Sequence, residues 1–80
     1  MTLNDVLKIL QEEYLILKAP AKYKEYRNYY LFFMHSEMDL DGVLMFDKST
    51  KKVVPYDPRK LMPGEAEQPL REGSFRKEEN

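Results

Sequence analysis

Cysteine is absent from the 80-residue chain, which excludes a disulfide framework, a thiolate-held zinc and a thiol nucleophile together. Histidine occurs once, at His35, so a multi-histidine metal site is excluded as well. No apolar run approaches the ~20 residues that cross a bilayer, and a membrane span is ruled out. The amino-terminal residues lack the basic-then-apolar order of a secretion signal, and the expectation is a cytoplasmic protein. An excess of basic charge is missing too. Thirteen Lys and Arg stand against 14 Asp and Glu, a formal net charge of −1. Such a chain is not basic all over, as a nucleic-acid coat would be, although a local basic patch is left open. Its length allows one small domain.

What is present begins with a helix. Leu3, Val6, Leu7, Leu10, Tyr14 and Leu17 recur at the spacing that stacks side chains on one helical stripe. Thr2 and Asp5 fit a capping box, in which hydroxyl and carboxylate each satisfy an orphan backbone N–H. The helix is expected over residues 2–18, ended by Ala19-Pro20 because a residue before proline is pushed out of helical geometry. Ile9 and Ile16 fall off the main stripe and broaden its apolar face.

Three strand-forming runs follow: Tyr29-Tyr30-Leu31-Phe32-Phe33-Met34, Val43-Leu44-Met45-Phe46, and Lys52-Val53-Val54-Pro55-Tyr56. Asp41-Gly42 is a turn pair between the first two, with the alternative that the whole 35–42 stretch is loop. Asp47 to Lys51 form a polar turn before the third. Pro55 cannot donate to a ladder, so that run lies at an edge. Beyond Asp57, prolines and glycines punctuate a stretch poor in apolar residues. The expected fold class is α+β: one amphipathic helix on a three-stranded antiparallel meander, with a domain over 1–62 and an extended or mobile tail over 63–80. Leu61 and Met62 are expected to tuck against the core.

A strand with one wet face alternates apolar and polar residues. The first two runs do not: Tyr29, Leu31 and Phe33 oppose Tyr30, Phe32 and Met34. One helix covers one face. The other must meet the chain's own C-terminal segment, a foreign partner or a second copy, and self-association into a homodimer is the leading expectation.

Signals for chemistry are weak. Glu37, Asp39, Asp41 and Gly42 match positions 1, 3, 5 and 6 of a calcium loop, but position 12 is Lys48, which repels a cation. His35 and Ser36 are adjacent and point to opposite sides of an extended chain, so they are poorly placed to share a proton. No Gly-x-Ser-x-Gly elbow or glycine-rich phosphate loop occurs. The expectation is no enzyme, no catalytic residue, no metal and no cofactor.

The segment 18–30 carries more. Lys18, Lys22, Lys24 and Arg27 are opposed by Glu25 alone, and Tyr23, Tyr26, Tyr29 and Tyr30 interleave with them. Cations that track phosphates beside aromatic faces that stack bases are what single-strand nucleic-acid binders combine. Tyrosine and arginine equally anchor protein interfaces. Tyr23, Tyr26, Arg27, Tyr29, Tyr30 and Phe32 are therefore the candidate protein-binding residues. Nucleic-acid binding through Lys18, Lys22, Lys24 and Arg27 ranks second.

The stretch from Tyr29 to Asp57, above all Asp41-Gly42 and Phe46-Asp47-Lys48-Ser49-Thr50-Lys51-Lys52-Val53, resembles the strand–turn–strand phrase of immunity-protein-35-like and PepSY-like domains. Helix-plus-meander chains of this kind are similar to small phage and prophage proteins of Gram-positive bacteria. Lys51 stands where those families have a turn glycine, and the tryptophan of the immunity group's first strand is absent. The resemblance implies a non-catalytic protein that acts by binding another protein or itself, as an accessory or inhibitor, and it assigns no functional residue.

Overall fold

The computed structural model describes residues 2–35, 40–65 and 67–75. Helix α1 spans Leu3–Tyr14 and starts as its sequence dictates. The Asp5 N–H donates to the Thr2 hydroxyl at 3.3 Å and the Thr2 N–H to the Asp5 carboxylate at 3.0 Å. Those bonds, the Thr2 N–H foremost, hold the Asp5 carboxyl below its ordinary range.

The helix ends earlier than the proline predicts. Leu15 adopts a left-handed conformation, φ 55°, and the Ile16 N–H donates back to the Leu10 carbonyl at 3.0 Å. This is the closure that glycine ordinarily provides, and a leucine there costs about 1–2 kcal/mol. The early exit brings Ile16 onto the core, whereas Leu17, expected on the helical stripe, is left exposed.

Among the described residues, five antiparallel strands form one sheet, not the expected three: β1 (Lys22–Glu25), β2 (Tyr29–Phe33), β3 (Val43–Asp47), β4 (Lys52–Val54) and β5 (Arg71–Ser74), in the order β4-β3-β2-β1-β5. The central pair matches the aromatic and branched runs, and β4 lies at an edge and stops before Pro55. The two extra strands come from segments whose composition hid them. Lys-Tyr-Lys-Glu becomes a strand because β2 and β5 pair with it on either side, and Arg-Glu-Gly-Ser because β1 offers an open edge. Asp41-Gly42 closes no tight hairpin. Leu40–Gly42 is a single 3-10 turn, and the Met34 N–H donates to the Gly42 carbonyl at 2.8 Å, so a longer loop joins β2 to β3. Ser36, Glu37, Met38 and Asp39, including two acids of the candidate calcium loop, lie outside the described residues, as do 76–80.

The β3–β4 turn is built by Asp47, whose carboxylate accepts the Ser49 N–H at 2.8 Å and the Ser49 hydroxyl at 2.7 Å. Lys51 takes φ 58°, the left-handed geometry that a turn glycine would supply.

Both faces of β2 and β3 are buried in the monomer. On one, Val6 and Leu10 of α1 pack with Tyr30, Phe32 and Phe46, joined by Tyr23, Leu44, Val53 and Phe75. On the other, Tyr26, Leu31, Phe33, Val43 and Met45 lie beneath Tyr56 and Leu61. The chain's own segment thus covers the second face, and a second copy is not needed for that purpose. Met62, expected to tuck in beside Leu61, is half exposed.

Candidate functional site

The strand alternation sorts the tyrosine- and lysine-rich segment onto different surfaces. Tyr23 and Glu25 face the helix side, and Lys22 and Lys24 face the opposite side. Tyr26, Tyr30 and Phe32 are each at most 2 % exposed, so these three candidate binding residues are core and offer no ring to a partner. Tyr29 is half-buried and packs against the second core cluster. The Tyr23 ring lies 5.3 Å from that of Phe75 and covers Gly73, where an added Cβ would meet Tyr23 Cε1 at 2.8 Å.

Tyr30 explains why the aromatic cluster turned inward. Its ring stacks on Phe32 at 5.8 Å and receives Lys48 Nζ at 4.7 Å. Lys48 also bonds the Glu25 carboxylate and the Tyr26 carbonyl, both at 2.7 Å. Burial, with the neighbouring Glu25 carboxylate second, raises the Tyr30 phenol above its ordinary pKa. The arrangement ties the β1–β2 corner to the β3–β4 turn. It is a half-buried ion pair that fixes geometry.

Of the basic residues, Lys22 and Lys24 share a face, and Lys24 Nζ sits 5.7 Å from the Phe33 ring centre. Glu72 lies directly across from Lys24. Arg27 is exposed at the β1–β2 turn, where its backbone N–H donates to Glu65 at 2.9 Å. Lys18 stands apart, beside α1. The four cations therefore do not line one track. His35 is exposed just past β2, and its neighbour Ser36 lies outside the described residues.

A different site emerges at the end of α1. Leu7, Leu10, Ile16, Leu17, Pro20 and Phe75 line an open groove of about 110 Å³. Lys18 and Gln11 supply its polar rim. Of its lining, Leu17 is 78 % exposed, and in the chain segment just before it Leu15 is 76 % exposed and Tyr14 shows part of its ring. The broad apolar face created by Ile16 is the one trace of this groove in the sequence. Its other wall, Phe75, arrives from the far end of the chain.

Among the described residues, no group of three or more His, Asp or Glu side chains is placed to hold a metal ion. No helix there is long and apolar enough to cross a membrane. No protein-family model, curated protein or solved structure matches this chain.

Proposed function

We propose that the chain is a non-catalytic protein-binding module of the accessory or inhibitor kind, which takes an apolar side chain of another protein into the groove beside α1. The observation that carries this reading is Leu17, which lines the groove and is more than three-quarters exposed, with the equally exposed Leu15 two residues before it in the chain. A domain this small gains nothing in stability from leucines in water, and a contiguous exposed apolar patch is the usual mark of an interface. Lys18 on the rim adds a preference for an anchor residue followed by a carboxylate.

Affinity capture from the native host with the wild-type chain and with Leu15→Asp/Leu17→Asp tests this, followed by calorimetry on the purified protein that the wild type retains. The double variant should keep its melting temperature, since both side chains are exposed, and bind at least about tenfold more weakly. Equal binding by the two chains would refute the groove.

A second reading, single-stranded nucleic-acid binding, draws on the shared face of Lys22 and Lys24. It lacks the stacking rings of Tyr26 and Tyr30, which are buried. It requires fluorescence anisotropy to show salt-sensitive oligonucleotide binding that Lys22→Ala/Lys24→Ala weakens.

A further inference from the structure

The end of α1 carries an anomaly that the groove alone does not explain. Leu15 holds the left-handed conformation that glycine adopts without strain, and its side chain is exposed. It is not part of the groove's lining. A side chain here strains the backbone and buries nothing, so glycine would serve the turn better. Strain of this kind persists where a function needs it. The helix end that displays Leu15 is also fixed in place, because the Tyr14 hydroxyl accepts the Val53 N–H of β4 at 2.9 Å. A rigidly presented apolar side chain loses little entropy on binding.

We propose that two copies of the chain exchange Leu15 across a two-fold axis, each filling the other's groove. A groove of about 110 Å³ suits one leucine-sized side chain, since a cavity of ~150 Å³ takes a benzene ring. Leu15 stands two residues before Leu17, which lines the groove, so anchor and pocket are close neighbours. A two-fold contact requires both on one molecule, because each residue that seats in the second copy must also receive its counterpart. The charges agree with the exchange. The last turn of α1 holds Glu12 and Glu13 and no basic residue, and Lys18 stands on the groove's rim. Carboxylates beside the anchor of one copy thus meet an ammonium beside the pocket of the other.

The inference rests on reading the groove as a site for an apolar side chain, and it adds the regulation of that site. Dimer and partner complex compete for one cavity, so the groove closes as the chain becomes concentrated and a partner opens it by displacing the second copy. The contact involves the end of α1 and leaves both covers of the sheet as they are. An interface built on so few side chains is small, and small interfaces are weak and readily exchanged.

Size-exclusion chromatography with light scattering, on the full chain at up to about 1 mM, should approach twice the chain mass. Leu15→Gly removes the anchor and fits the backbone better than leucine, so its effect on mass is not one of misfolding. It should raise the dissociation constant at least about tenfold. Ala19→Phe fills the groove from an exposed lining position and keeps the anchor, and it should weaken the dimer similarly. An equimolar mixture of the two variants restores one anchor and one open groove, and should associate more tightly than either variant with itself. A chain that stays monomeric at about 1 mM overturns the proposal. So does a dimer that Leu15→Gly leaves unchanged, or a mixture that associates no better than its components. Failure of the exchange is separable from failure of the groove. A monomer whose partner binding still falls in Leu17→Asp rejects the exchange alone, whereas a dimer that depends on Leu15, with partner binding indifferent to Leu17→Asp, rejects the partner and keeps the exchange.

Discussion

The two faces of the sheet set the same physical problem and solve it with different materials. On one side, a capped helix lays Val6 and Leu10 over Tyr30, Phe32 and Phe46. On the other, a coil from Tyr56 to Leu61 covers Leu31, Phe33, Val43 and Met45. The helix satisfies its own backbone groups and contributes chiefly apolar area. The coil cannot, so polar groups pin it. The Asp57 N–H donates to the buried Met45 sulfur at 3.5 Å, and the Asp57 carboxylate caps the 3-10 turn Pro58–Lys60 through the Arg59 N–H at 3.0 Å. Just beyond the coil, Glu65 accepts the N–H groups of Arg27 at 2.9 Å and Met62 at 2.7 Å. An irregular cover of an apolar face is thus held by a few specific bonds, and those bonds are where it can be undone.

The sharpest way to break this contrast is to empty each face in turn. Phe32→Ala, on the helix side and fully buried, should cost about 3–5 kcal/mol and bring the whole domain close to unfolding in a thermal melt. Met45→Ala should cost about 2–4 kcal/mol, and it also removes the sulfur that anchors Asp57. Its amide exchange should accelerate first over residues 56–61, where Phe32→Ala accelerates exchange everywhere. Similar exchange patterns for the two variants would mean that the covers are one cooperative unit.

Glu65→Gln should cost about 1 kcal/mol, since each carboxylate oxygen accepts one backbone N–H and the amide nitrogen that replaces one of them cannot accept, at a half-exposed position. Its acid dependence follows from the sign of the pKa shift. The Arg27 N–H, then that of Met62, lower the Glu65 carboxyl from its ordinary 4.5 in the folded chain. The unfolded chain therefore takes up the proton first as pH falls. The contribution of Glu65 is complete above the ordinary carboxylate range and is lost as pH drops towards the lowered value. Exchange at the Met62 amide should rise through that window in the wild type and show no such step in Glu65→Gln. The smallest expected effect has the opposite sign. Leu15→Gly relieves a left-handed leucine without removing a buried side chain, and should raise the melting temperature by a few degrees. If the groove is the binding site, the same variant binds its partner less well.

The helix start was legible because Thr2 and Asp5 satisfy each other at fixed spacing, a purely local arrangement. Its end was not, because the residue that terminates it is a leucine in a glycine's conformation. Strands β2 and β3 were legible from their side chains. Strands β1 and β5 exist because an unpaired ladder of N–H and C=O groups lay beside them, and no composition of Lys-Tyr-Lys-Glu or Arg-Glu-Gly-Ser announces that. The same limit governs the site. Tyr26 and Tyr30 were read as surface anchors, and tertiary alternation sent their rings inward. The groove needed Phe75 to meet Leu17 and Pro20, a meeting set by the β1–β5 pairing.

The Tyr14 hydroxyl on the Val53 N–H has a consequence for the border of the sheet. An edge strand that keeps its outward donors free is a template for the strand of another chain, and the phenol takes the Val53 N–H out of that inventory. A single phenol at the end of α1 thereby guards a strand that lies 39 residues further along the chain.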